Sequence, residues 1–106
     1  MKLMSMAMVV AFLGGSVVAF AAEHTITQKG RAFSEGAVNL KKGDVITFVN
    51  DDNIAHNIYS TSPANEFNLG SQAPGTSSPV TFGKSGEVTV LCAIHPRMKM
   101  VVTVAD

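Results

Sequence analysis

An all-β fold, a Greek-key sandwich of about seven to eight strands, is what this sequence predicts, and three observations carry the prediction. Short runs rich in Val, Ile, Thr and Phe alternate with clusters of Gly, Pro, Asn, Asp and Ser. No window shows an apolar stripe at helical spacing. With the N-terminal apolar run set aside, the 85 residues from 22 to 106 suit seven short strands in one domain.

The elements follow in order. His24–Gln28 is the first strand, closed by Lys29-Gly30. Ala37–Leu40 is the second, and Lys42-Gly43-Asp44 turns the chain into the third, Val45–Asn50. Asn50-Asp51-Asp52-Asn53 is a turn of residues whose short polar side chains bond their own backbone. His56–Tyr59 is the fourth strand. Ser60 to Ser78, rich in Ser, Pro, Gly and Asn, reads as a long surface connection with room for a short helical turn. Pro79–Phe82, Glu87–Cys92 and Val101–Val104 complete the set. In Glu87–Cys92 the period of two puts Val88, Val90 and Cys92 on one face, with Glu87 and Thr89 on the other. The apolar face is the core face, so Cys92 points inward at the end of its strand, beside a loop.

Residues 1–21 read as a signal peptide and residues 22–106 as the mature domain. Lys2 precedes a charge-free apolar run that ends in Ala19-Phe20-Ala21, the small-x-small pattern cut by signal peptidases. The expected location is the periplasm, with no membrane attachment after cleavage; a retained anchor is the other reading of the same run. Losing Lys2 leaves seven basic against eight acidic side chains, a net charge of −1. That balance excludes nucleic acid as a partner, because binding its backbone needs a clustered positive field. A small exported domain would ordinarily be stapled by disulfides, yet there is one cysteine, Cys92. A lone exported cysteine is a free thiol, an intermolecular bridge or a metal ligand.

The loop after it selects among these. Cys92-Ala93-Ile94-His95-Pro96-Arg97-Met98-Lys99-Met100 brings a thiol, an imidazole and two thioethers into nine residues. Soft sulfur suits Cu(I), imidazole suits both copper oxidation states, and two His with one Cys and a weak axial Met make a blue-copper site. The chain has three histidines, and His56, at the entry of a strand, is the candidate for the second imidazole. Taken singly, Cys92 would be a small buried hydrophobe, His95 a loop histidine and the methionines packing residues. Their conjunction in an exported all-β chain points to one type 1 copper ion.

The chain resembles the cupredoxins, the small plastocyanin and amicyanin type, over about residues 24 to 104. The matching segments are Lys41-Lys42-Gly43-Asp44-Val45-Ile46-Thr47-Phe48-Val49-Asn50, then His56-Asn57, and last Cys92-Ala93-Ile94-His95-Pro96-Arg97-Met98. The resemblance implies a Greek-key sandwich with copper at one end, His56, Cys92 and His95 as the strong ligands, and Asn57 tying the His56 strand to the ligand loop. Amicyanin-like spacing, with a proline after the histidine, makes Met98 the axial ligand and leaves Met100 in the core; pseudoazurin-like spacing would select Met100. Ala93 stands where many relatives carry a hydroxyl, so one hydrogen bond near the metal is expected to be missing. The family further implies an electron exit at the edge of His95, in a small apolar patch with Ile54, Ala55, Ile94, Pro96 and Met98. Arg97 and Lys99 would add positive charge at the rim to steer an acidic partner.

The function expected is therefore single-electron shuttling, by a monomer, between transient redox partners such as a dehydrogenase or a cytochrome. The alternative is copper delivery or buffering by the same ligands, against which stands the absence of Met or His tracts in the mature chain. Enzyme chemistry is not expected: copper oxidases build further centres from additional histidines, and a filled site has no position for substrate. If the chain begins at Ala22, Ala22-Glu23-His24 could in addition hold Cu(II) or Ni(II) in a square plane; a plain histidine near a terminus is the simpler reading.

Overall fold

The computed structural model describes residues 20–106, and among these there are eight strands and no helix. Residues 1–19, most of the segment read as a signal peptide, therefore lie outside the described residues. Three strands form one sheet in the order β1-β3-β6: β1 (Glu23–Gln28), β3 (Val45–Asn50) and β6 (Ser77–Thr81). The other five form the second sheet in the order β2-β8-β7-β4-β5: β2 (Ala37–Lys41), β8 (Lys99–Ala105), β7 (Gly86–Cys92), β4 (Ile58–Ser60) and β5 (Phe67–Asn68). β1 runs parallel to β3, and β2 parallel to β8; every other pairing is antiparallel. Such mixed order comes from strands that cross between sheets rather than fold back as hairpins, as in a Greek key.

Alternation explains the layers. In β3, Ile46, Phe48 and Asn50 are buried while Val45, Thr47 and Val49 are half-buried. β7 buries Val88, Val90 and Cys92, and β8 buries Met100, Val102 and Val104. These inward rows meet between the sheets with Ile26, Leu40, Ile58 and Phe82. Phe48 lies at the centre, 6.4 Å from the Phe33 ring and 6.0 Å from the Phe67 ring, and Phe67 meets Phe82 edge-on at 6.0 Å. Edge-to-face and offset contacts at such distances suit the ring quadrupoles and add to the burial itself.

Two expectations are corrected. The Ser60–Ser78 connection has no helical turn; it carries the two-residue strand β5, which pairs Phe67 with Ser60 and Asn68 with Tyr59. His56 is not within β4, which starts at Ile58, but forms an isolated bridge with Gln72.

The chain direction defines two ends. β1, β3 and β7 all finish at one end, where Gln28, Asn50 and Cys92 lie, and β8 starts there. At the other end are the start of β1 and the turn from β2 to β3, with His24 Nε2 3.5 Å from Asp44 Oδ2. His24 sits extended opposite Ile46. Successive amides of an extended strand point to opposite sides, so the strand does not present the consecutive nitrogens that a square-planar chelate needs.

Candidate metal centre

Four pieces of backbone converge at the Cys92 end. β7 ends at Cys92, whose side chain is 2% exposed. β4 pairs with it, Ile58 opposite Cys92. Just before β4, His56 is clamped to Gln72 by two backbone bonds, His56 N–H to the Gln72 carbonyl at 3.1 Å and Gln72 N–H to the His56 carbonyl at 2.7 Å. The loop after Cys92 is tightened by Met98 N–H donating to the His95 carbonyl at 2.9 Å.

These constraints bring three donors together. His56 Nδ1 lies 3.7 Å and His95 Nδ1 3.9 Å from Cys92 Sγ, and the two Nδ1 atoms are 3.2 Å apart. Bonds of about 2.0–2.3 Å from nitrogen and sulfur to one shared ion hold donors roughly 3.3–3.9 Å apart. The triangle is of that size. It is also drawn from residues 36 and 39 positions apart along the chain.

The tautomer of His56 is determined by its neighbour. Asp52 Oδ2 lies 2.9 Å from His56 Nε2. The backbone N–H of Arg31, donated to the same carboxylate at 3.0 Å, and the His56 bond hold the Asp52 carboxyl down at about 2. An ionised carboxylate only accepts, so His56 Nε2 carries a proton and Nδ1 is the nitrogen turned toward the triangle. Burial pushes the His95 imidazole below its ordinary pKa, and His56 and Arg31 push it the same way. That favours the neutral form of His95, the form that binds metal. Two imidazole nitrogens and a thiol sulfur meeting at one corner form a donor set that a soft-to-borderline cation satisfies, so the residues fit copper.

Met98 and Met100 part company by register. β7 pairs Leu91 with Lys99 and Val90 with Met100, so one step further brings position 98 level with Cys92. Met100 lies one pleat deeper, roughly 7 Å along the strand. Both are buried, at 2% and 0% exposure.

Asn57 meets the end of β7 and the loop after it through its backbone. Its N–H approaches Cys92 Sγ at 3.4 Å and its carbonyl accepts Ala93 N–H at 2.8 Å. The side-chain amide instead donates to Asn68 Oδ1 at 2.8 Å, on β5. Ala93, which lacks the hydroxyl, keeps that backbone bond.

Several residues of this corner were not read from sequence. Asn50, buried, donates to the carbonyls of Ile54 and Gln72, both at 2.9 Å, and accepts Asp52 N–H at 3.0 Å, so one amide braces the whole loop before His56. Gln72 donates to the Phe48 carbonyl at 2.9 Å. Arg31 adopts φ 56° in the turn after β1, which aims its N–H at Asp52. Asp52 alone left a signal in the sequence, an acid four residues before a candidate ligand.

The surface around His95 is partly as expected. Ile94 is 49% exposed and Pro96 is exposed, with Ile54 and Ala55 half-buried. Met98 is buried and adds nothing to the outer patch. Arg97 and Lys99 are exposed.

Comparison with known proteins agrees with this geometry. A profile of copper-binding proteins of the plastocyanin/azurin family matches residues 20–105. The chain is similar to the methylamine utilization protein MauL of Methylorubrum extorquens, 29% identical over 99% of this chain and 93% of that one. It is also similar to MauL of Methylophilus methylotrophus, 35% identical over 78% of this chain and half, 51%, of the relative. Among solved structures, a purple cupredoxin from Nitrosopumilus maritimus superposes with a TM-score of 0.69 at 23% identity, over 77% of this chain and 99% of that one. A reduced variant of amicyanin gives 0.70 at 23%, over 82% and 85%. The copper-containing nitrite reductase of Thermus scotoductus gives 0.72 at 23%, over 92% of this chain but only 25% of the enzyme. At these identities the structural likeness speaks for the fold.

Proposed function

The chain belongs to the plastocyanin/azurin family of copper-binding proteins, and from that premise we propose that it is a periplasmic carrier of single electrons, with His56, Cys92, His95 and Met98 as the ligands of one type 1 copper ion. The observation that carries the reading is the Nδ1–Sγ–Nδ1 triangle, its three atoms within 4.8 Å of one another.

When bound, the copper supplies the one-electron Cu(I)/Cu(II) couple. The protein's part is to keep the donors still. His56 is held by the Gln72 clamp and by Asp52, which keeps a proton on Nε2 and leaves Nδ1 as the nitrogen facing Cys92. Cys92 is fixed by β7 and by the N–H of Asn57, which approaches its sulfur at 3.4 Å. Met98, level with Cys92 in the β7–β8 register, would be the fourth residue to hold the copper; Met100 packs against the core. Donors that do not move when charge changes make the transfer need little rearrangement. His95 is half-buried in the exposed loop Ala93–Arg97, so its outer edge is the route by which an electron leaves. The small patch of Ile94 and Pro96 suits a brief encounter with a redox partner, and Arg97 and Lys99 favour an acidic one.

The MauL relatives are named for methylamine utilization. By that analogy the redox partners of this reading belong to amine oxidation, a dehydrogenase or a cytochrome being the kinds expected. Catalysis by this chain is not part of the reading, because its likeness to nitrite reductase covers a quarter of that enzyme. A copper-delivery role calls for an accessible, exchangeable ligand set, and His56 and Cys92 are 0% and 2% exposed.

The test is an absorption and paramagnetic-resonance spectrum of the oxidised, copper-loaded protein, followed by voltammetry. An intense thiolate-to-Cu(II) band, lost in Cys92→Ser, with a reversible one-electron wave, is expected. A colourless Cu(II) form, or copper that exchanges freely and does not cycle, would favour delivery.

A further inference from the structure

At the end of the sandwich away from the metal ligands, Asp44 holds a carboxylate that electron transfer does not use. The residue is 7% exposed. One of its oxygens, Oδ2, accepts Lys41 N–H at 2.9 Å, which closes the turn between β2 and β3. The turn has no need of the other. Oδ1 accepts Ala22 N–H at 3.0 Å, across 22 residues of chain. Ala22 is held on its other side too, its carbonyl accepting Val45 N–H at 3.0 Å. Ala22 is thus tied to the body through both its backbone groups, one residue before β1 begins. Immediately upstream, Phe20 is 87% exposed and Ala21 is exposed.

This boundary coincides with the cleavage motif Ala19-Phe20-Ala21. We propose that Asp44 is a receptor for a free α-ammonium group on Ala22, created by hydrolysis of the Ala21–Ala22 peptide bond. A leader peptidase of the export machinery adds water across that bond. The carbon–nitrogen bond breaks, Ala21 departs with the new carboxylate, and the Ala22 nitrogen takes up protons to become an ammonium. The nitrogen does not have to move. A neutral amide N–H facing Asp44 becomes a cation facing it, and a charge-assisted bond of this kind is roughly twice as strong as a neutral one.

The surroundings favour the exchange. The two backbone N–H groups hold the Asp44 carboxyl below its usual range, with His24 adding to the effect, so it is ionised at neutral pH. Among the charged side chains nearby, Lys42 is paired with Asp106 at 3.6 Å. Lys41 lines the same hollow beside Phe20 and Ala21. His24 Nε2 approaches Asp44 only to 3.5 Å and is otherwise unpartnered. The consequence is that processing does more than release the protein: it sets the first residue of the fold on a charge pair.

The full chain, exported from a bacterial host and loaded with copper, provides the test. Intact mass and N-terminal sequencing are expected to place the mature start at Ala22; a start at any other residue overturns the proposal. Selective N-α-acetylation of the processed protein is expected to lower the unfolding midpoint by about 4 °C or more, with the difference shrinking in high salt. In Asp44→Asn, acetylation should change nothing further. If acetylated and free-amine forms of the unaltered chain unfold together, the proposal fails without reference to the variant. An equal loss on acetylation in Asp44→Asn overturns it as well.

Discussion

Asp52 Oδ2 stands 2.9 Å from His56 Nε2, on the side of the ring away from Cys92. The carboxylate is itself held by the N–H of Arg31, from a different strand connection. A carboxylate behind a metal-binding imidazole fixes its tautomer and raises its basicity, so the loop between β3 and β4 tunes the site as well as delivering its ligand.

Asp52→Asn should therefore loosen Cu(II) more than Cu(I). The expected outcome is a Cu(II) affinity lower by roughly 10–100-fold, with a higher reduction potential and an intact fold. Competition titration with a coloured chelator and voltammetry of the same sample would check it. An unchanged potential would show that the carboxylate serves only the loop.

The two methionines should separate cleanly. Met98→Ala is expected to change the reduction potential and the paramagnetic spectrum with a modest loss of stability. Met100→Ala, opposite Val90 in the core, should cost about 2–5 kcal/mol and leave the spectrum nearly as it was. The reverse pattern would transfer the axial role to Met100.

Acid stability should report on Asp44. Its folded pKa is depressed below the ordinary 3.8, first by the Lys41 N–H and then by the Ala22 N–H. The sign follows from linkage: the unfolded chain takes up the proton first as pH falls. The contribution is complete above the unfolded value and is lost as pH drops through the folded one. Denaturant unfolding of Asp44→Asn between about pH 5 and about pH 2.5 should show a flatter acid limb than the parent. Parallel limbs would remove Asp44 from the account.

Phe48 is 0% exposed, between Phe33 and Phe67. Phe48→Ala should cost about 3–5 kcal/mol, a large share of what a domain of this size can spare. Because Gln72 donates to the Phe48 carbonyl, the loss should also be felt as faster copper release, measurable by transfer to a chelator.

Much of the fold was legible in the order of residues. Val45–Asn50 has the bounds that alternation assigns it, and Val88, Val90 and Cys92 face the core as the period of two requires. β5 was not legible, because two residues carry no period, and neither was the absence of a helical turn from a stretch whose composition suits turns and helix caps alike. Of the candidate site, His56, Cys92 and His95 announced themselves by chemistry, since the one cysteine, one of three histidines and two methionines fall within nine residues.

Residue types and spacing alone determined the class of fold, the inward face of β7 and the metal that the donors suit. Those follow from local rules, alternation and ligand softness, that act within a few residues. Tertiary structure alone decided that His56 Nδ1 and not Nε2 faces Cys92, that Asn57 works through its backbone, and that Arg31, Asn50 and Gln72 belong to the same corner. Each of these rests on hydrogen bonds between segments far apart in the chain, and only the crossing of strands between two sheets brings such segments together.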